Sequence, residues 1–186
     1  MKSVMLAIQP YWVFLIIAKK MGWDIGKEKT IEVRKSFPKD EDWNRKSEIY
    51  CSKDKKSFNL IPKEYQPLMK RFLGKVVGRF YCPTYMDGGS CLFLKQSCLS
   101  IEEFFEYNNG NRIYGWRIAD LKVYDKPREL SDFKVECPTK NQINGDCLLC
   151  KYASFSHYGN RPKCNAYLTR PPQSWCYVED LESVSR

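Results

Sequence analysis

The chain has 186 residues, enough for one domain of residues 1–186 with a sizeable core and an insertion. It carries 31 Lys+Arg against 22 Asp+Glu, a formal net charge of +9. No Walker loop, dinucleotide-binding glycine motif or serine-hydrolase elbow appears, which sets aside the nucleotide-hydrolysing, nicotinamide and α/β-hydrolase classes.

The positive charge is uneven. Residues 27–75 hold 14 basic and 8 acidic side chains, while residues 76–136 are close to neutral. A basic first half points to a polyanion partner, with RNA or DNA the usual candidate; a solvated lysine-rich surface accounts for the same numbers.

The apolar run over residues 4–18 is short of the ~20 residues a membrane span needs, and Gln9 and Pro10 interrupt it. Lys19 and Lys20 follow at once, where a signal peptidase needs small neutral residues. The run therefore splits into a buried strand over 4–8 and a core helix from Tyr11 to about Met21. Pro10 suits its first turn, Lys19 and Lys20 its negative end, and Gly22 its stop.

Next comes Lys29-Thr30-Ile31-Glu32-Val33-Arg34, alternating as a half-buried strand does, with Lys35 just beyond. Ile31 and Val33 face the core. Thr30, Glu32 and Arg34 share the other face, a hydroxyl, a carboxylate and a guanidinium placed to bind or polarise a small polar group. An exposed face with a cross-strand ion pair is the plain alternative. Residues 36–60 are rich in Lys, Asp, Glu and Ser, a composition compatible with a mobile loop over a cleft.

Further along, a short helix is expected near 62–72 and a strand over 74–81. Ser100-Ile101-Glu102-Glu103 forms a capping box with Leu99 placed to staple Phe104, and that helix stops at Asn108-Asn109-Gly110. Residues 112–124 supply another strand, Lys126-Pro127-Arg128 turns the chain out of the sheet, and residues 175–181 add the last strand. Tyr81, Tyr114, Trp116, Tyr124, Trp175 and Tyr177 lie in or beside these strands. Tyr114 and Trp116 share a face and, with Arg117 nearby, are the candidate base-stacking pair; core packing is the other use for such rings. Gln173 and Ser174 have amide and hydroxyl groups that suit a base edge or a turn cap.

Between the last two strands, residues 137–164 hold Cys137, Cys147, Cys150 and Cys164, with the chain's only histidine, His157, among them. Cys147-x-x-Cys150 has the spacing of a metal knuckle. Two more thiolates, or one and His157 in place of Cys137, complete a tetrahedral zinc shell. Free thiols, an iron–sulfur cluster and disulfides are the competing uses. Cys51, Cys82, Cys91, Cys98 and Cys176 flank apolar residues as buried thiols do. An odd total of nine cysteines speaks for a reducing, cytoplasmic setting.

Ala7-Ile8-Gln9-Pro10, the apolar helix, and Lys29-Thr30-Ile31-Glu32-Val33-Arg34-Lys35 together resemble the opening of ASCH domains, members of the PUA-like superfamily. Gly74-Lys75-Val76-Val77-Gly78, Tyr114-Gly115-Trp116-Arg117-Ile118, Tyr124-Asp125-Lys126-Pro127 and Arg170-Pro171-Pro172-Gln173-Ser174-Trp175 extend the resemblance, which looks most like small ASCH-type proteins of phages and mobile elements. It covers most of the chain except roughly 36–60 and the cysteine segment. It implies an α+β fold: a small, mixed or antiparallel, partly open PUA-like β-barrel with flanking helices; the Cys-rich, zinc-binding insertion expected from the cysteine spacing would sit on that barrel.

For function, the resemblance implies an RNA- or nucleotide-binding cleft lined by Lys29, Thr30, Glu32, Arg34 and Lys35, joined by Tyr114, Trp116, Arg117 and Gln173. One branch is similar to bacterial N4-acetylcytidine amidohydrolases, which use a lysine, a threonine and a glutamate. Their lysine falls on Lys29. Their catalytic threonine falls on Glu32, where this chain has no hydroxyl, and Thr30 is one residue out of step with Lys29. Water attack with Glu32 as base and Lys29 as electrostatic stabiliser is the enzymatic alternative, on a modified nucleoside or on RNA, since other family members are reported as ribonucleases. The third class is an accessory protein whose Lys- and Tyr-rich surface meets an acidic host protein.

Overall fold

A computed structural model describes residues 2–38, 45–135, 153–154, 163–164 and 167–179. They form a mixed α+β fold. Five strands, β1 (Lys2–Ile8), β3 (Arg45–Cys51), β4 (Val76–Cys82), β7 (Ala119–Arg128) and β10 (Trp175–Glu179), make one sheet in the order β10-β1-β3-β4-β7. The β1–β3 pair is parallel and the other pairs are antiparallel. A second, antiparallel sheet has the order β2-β6-β5, with β2 at Ile31–Arg34, β5 at Tyr85–Asp87 and β6 at Tyr114–Arg117. Among the described residues the two sheets are separate ladders, and no strand pairing closes them into one barrel.

The unbroken apolar stretch of β1 is explained by burial on both faces. Val4, Leu6 and Ile8 join the main core with helix α1 (Pro10–Ile17), while Met5 packs with Tyr50, Phe133, Leu168 and Val178 on the reverse face. α1 is the expected core helix, with Pro10 in its first turn and Val13 to Ile17 buried. Its orphan Tyr11 N–H donates to Ser57 Oγ at 3.0 Å. Ser57 lies in helix α2 (Lys55–Phe58). Regular helix ends at Ile17, and the chain winds on to Gly22. There Gly22 N–H donates to Lys19 O and Trp23 N–H to Ala18 O, a Schellman closure with Gly22 at φ +70°. Trp23 then packs on Phe14, 5.7 Å between ring centroids.

The helix near 62–72 is α3 (Gln66–Lys70), and α4 (Cys91–Ser97) precedes α5 (Ile101–Asn108). The capping box at Ser100 and Glu103 is formed, and Asn109 ends α5 in the left-handed region. Leu99 and Phe104 pack in one cluster with Ile31, Val33, Phe93 and Ile113 behind β2.

Four expectations need correction. Within 36–60, residues 45–51 are β3, the middle strand of the large sheet. Its polar side chains hid it: Arg45, Ser47 and Glu48 are all buried, with Arg45 over the Tyr177 ring and Glu48 accepting from Tyr124 Oη at 2.7 Å. Residues 112–124 are not one strand. The chain leaves the small sheet after Arg117 and enters the large one at Ala119, helped by Asp120 at φ +48°, a conformation aspartate tolerates better than most. Lys126-Pro127-Arg128 does not turn out of the sheet; β7 is an edge strand, where proline's missing N–H is harmless, and Arg128 still pairs with Val76. Cys91 is exposed, on the first turn of α4 after the Ser90 cap.

Cys51 and Cys82 are buried as expected, and desolvation pushes both thiols up to about 12; Cys98 and Cys176 are partly covered. Cys137, Cys147, Cys150 and His157 lie outside the described residues. Cys164 pairs with Ala153 in the short β8–β9 ladder (Ala153–Ser154 and Lys163–Cys164).

At Gly78 the β7 backbone comes too close for a side chain. A Cβ there would sit 2.4 Å from the Lys122 carbonyl oxygen and 3.1 Å from Val123 Cα, both on β7. Gly78→Ala is therefore expected to cost about 1–3 kcal/mol through overpacking, read as a lower urea midpoint with unchanged slope. A midpoint equal to wild type would show that β7 is not held this closely.

Candidate functional site

Alternation along β2 does two jobs. Ile31 and Val33 go into the apolar cluster with Phe93 and Phe104, and Glu32 and Arg34 go to the opposite side. There they meet the end of β1, the first turn of α1 and the segment before β10, around a cavity of about 450 Å³. That size falls within the ~300–1,000 Å³ typical of small-ligand sites.

The floor of this cavity is a buried charge cluster. Lys29, Glu32 and Arg34 are each under one-tenth exposed. Glu32 Oε1 lies 3.0 Å from Arg34 Nη2, and Glu32 Oε2 lies 3.6 Å from Lys29 Nζ. Lys29 Nζ donates to Ser97 O at 2.9 Å and sits 4.9 Å from the centroid of the Trp12 ring. Arg34 reaches across to the large sheet: Nη2 donates to Ala7 O at 2.7 Å and Nη1 to Ser174 Oγ at 3.4 Å. Two buried atoms of the cluster, Glu32 Oε2 and Arg34 Nε, have no hydrogen-bond partner among the described residues. They are an acceptor and a donor whose hydrogen bonding the fold leaves incomplete.

Desolvation holds the Lys29 ammonium below its ordinary 10.5, with the neighbouring Glu32 carboxylate pulling the other way. Tyr107 lines the same cavity. Burial raises its phenol, and its Oη donates to Val33 O at 3.5 Å. Lys35, exposed at the rim, places its ammonium 5.3 Å from the Tyr107 ring centroid. Three cations against one carboxylate make the lining net positive, with Trp12 and Tyr107 as aromatic walls and Gln9, Gln173 and Ser174 as polar ones.

Of the residues singled out in sequence, Lys29, Glu32, Arg34, Lys35 and Gln173 come together here. Thr30 does not. It lines a second cavity, and its Oγ1 is buried with no hydrogen-bond partner among the described residues. Tyr114 and Trp116 do share a strand face, opposite Arg34 and Glu32. Trp116, however, is fully buried among Tyr85 and Trp175, with Nε1 donating to Ser36 O, so it has no free face for a base. Tyr114 packs edge-on against Phe37 beside Arg112, lining a separate cavity of about 220 Å³. Arg117 is exposed at the end of β6. Sequence reading missed Trp12 and Tyr107. Trp12 was legible from its place two residues after Pro10, and Tyr107 from its position three residues beyond Phe104 on α5.

Comparison with solved structures gives one consistent answer. The ASCH protein of Zymomonas mobilis, solved unsubstituted and as serine-to-alanine and tyrosine-to-phenylalanine mutants, superposes with TM-scores of 0.52, 0.54 and 0.52. The alignments span 98–99% of this chain and 91–95% of that protein. This chain has the ASCH fold. Identity over the match is only 14–15%, so what is shared is the fold. No protein-family model matches the chain, and no curated protein matches it in sequence. Among the described residues no helix is long and apolar enough to cross a membrane, and no cluster of three metal-ligating side chains occurs. In this ASCH fold the cavity lies where the two sheets meet, which is why strands from both supply its lining.

The lowered Lys29 group gives a signed pH prediction. Between its depressed value and 10.5 the unfolded chain binds more protons than the folded one, so stability contributed through Lys29 rises with pH across that window. Lys29→Met removes the contribution. Wild type should gain stability over Lys29→Met as pH climbs towards 10.5, measured by urea unfolding at several pH values. A gap that stays constant with pH would contradict the burial of a titrating ammonium.

Proposed function

We propose that the protein binds RNA or a nucleotide in the cavity between its sheets. The observation that carries this reading is the Lys29–Glu32–Arg34 cluster, buried at the floor of a net-positive cavity walled by Trp12 and Tyr107. Cations there offset the charge of a phosphate. The exposed parts of the aromatic walls suit a base or ribose, and the amides of Gln9 and Gln173 suit polar base edges. Lys35 at the rim is the group best placed to meet a backbone phosphate. The ASCH fold shared with the Zymomonas mobilis protein is consistent with such a role but does not specify a ligand.

A hydrolytic second reading has its own supporting observation. Glu32 Oε2 is buried, with no hydrogen-bond partner among the described residues, beside an ammonium whose proton is loosened by desolvation. A carboxylate so placed can take a proton from water while Lys29 and Arg34 stabilise the developing negative charge on the substrate. Among the described residues no threonine stands with them, so this mechanism is direct water attack on a modified nucleoside or on RNA.

One experiment separates these readings: single-stranded RNA binding at low and high salt, followed by a gel of the recovered RNA. Wild type should bind with affinity falling steeply as salt rises. Lys35→Ala should weaken binding several-fold and reduce the logarithmic salt slope by about one unit. Intact RNA throughout supports a binding module, whereas cleavage that disappears in Glu32→Gln supports the hydrolase. Absence of binding at either salt would sink both readings as they concern RNA and bring an acidic protein partner, to be sought by pull-down, to the fore.

A further inference from the structure

A second, wider cavity of about 1090 Å³ adjoins the first. Leu99 lines both, and the chain at Lys29 and Thr30 runs between them, with Lys29 lining one and Thr30 the other. The first turn of α1 is split in the same way. Trp12 lines the first cavity and Tyr11 the second, their rings meeting edge-on at 5.1 Å.

The second side carries two lysines and two glutamates, formally balanced, but both carboxylates are already engaged. Glu28 is engaged by Lys19 at 2.9 Å, and Glu103 closes its own helix cap by accepting from Ser100 N–H at 2.8 Å. Lys27 and Lys95 are both exposed, and neither forms an ion pair among the described residues. Thr30 Oγ1 is buried behind this wall, with no hydrogen-bond partner among the described residues. An aromatic ring and two exposed ammonium groups thus stand next to a cavity that has cations and aromatic walls of its own.

We propose that the two cavities are consecutive subsites for one RNA strand. Adjacent bases would be parted by the Tyr11–Trp12 pair, with Lys27 and Lys95 serving the phosphate on the second side. This rests on the first cavity being a nucleotide site. The preferred ligand is then a dinucleotide unit or longer, and a mononucleotide fills only half of the site.

The test is an NMR titration of the full chain with AMP, the dinucleotide pApA and hexaadenylate. pApA should bind at least about tenfold tighter than AMP, the order expected from one more stacked base. The Lys27→Ala/Lys95→Ala variant, altered only at exposed positions, should lose most of that gain while its AMP affinity stays at the wild-type value. Equal affinity for AMP and pApA in wild type would overturn the second subsite while leaving the first intact. Equal weakening of AMP and pApA in the double variant would also overturn it, as would binding by hexaadenylate alone, which indicates a surface track. Failure of all three ligands to bind would overturn the nucleotide reading itself, and this inference with it.

Discussion

Three charged side chains buried together at the junction of two sheets set the main constraint on this molecule. A buried ion without compensation costs several kcal/mol, and removing one partner from a buried pair typically costs about 3–5 kcal/mol. Glu32 is held between Lys29 and Arg34, and each cation in turn uses a backbone carbonyl supplied by another part of the chain. Ser97 at the end of α4 takes Lys29; Ala7 at the end of β1 takes Arg34, with Ser174 beside it. The cluster can be satisfied only when β1, β2, α4 and the approach to β10 are all in place. It therefore reports on correct assembly of the two sheets as well as on the cavity they enclose.

Such a cluster is a poor way to gain stability. Apolar residues of equal volume are often as stable or more so, because charges must first be stripped of water. Here desolvation outweighs the Glu32 attraction at Lys29, and two polar atoms of the cluster have no hydrogen-bond partner among the described residues. The incomplete satisfaction, facing a cavity rather than a packed core, is what favours a ligand-binding role over a purely structural one. The geometry is also well supported. Ser97 Oγ donates to Leu94 O and accepts from Leu99 N–H, and Cys98 takes a left-handed conformation between them. That turn fixes the carbonyl that anchors Lys29 and the leucine that forms the cavity wall.

Much of this was legible from local signals. Pro10 and Gly22 bracket α1, the capping box starts α5, and strict alternation assigns Glu32 and Arg34 to one side of β2. Each depends on neighbours within a few residues. What escaped depends on tertiary context. β3 read as a charged loop because its polar residues are buried against partners far along the chain, such as Glu48 with Tyr124 and Arg45 with Tyr177. Alternation also placed Thr30 with Glu32, yet Thr30 precedes β2 and its side chain falls behind the wall, in the second cavity. Trp116 shows the same limit. Its face on β6 was right, but that face is covered by Tyr85 and Trp175, so it supports the site from within the core.

The charge argument changes character once the fold is known. Net charge treats every cation as surface, but Lys29, Arg34 and Arg45 from the basic first half are buried. Arg34 and Lys29 are already neutralised in part by Glu32, and Arg45 rests on an aromatic ring. A polyanion would therefore meet two kinds of positive charge. The exposed lysines Lys27, Lys35 and Lys95 act at long range, screened by salt, and govern encounter. The buried pair acts only on a group that enters the cavity and displaces its water, where a low effective dielectric makes each contact stronger and more selective. Under the proposed function, affinity and specificity would fall to different residues, making a ligand salt-sensitive in its approach and far less so once seated.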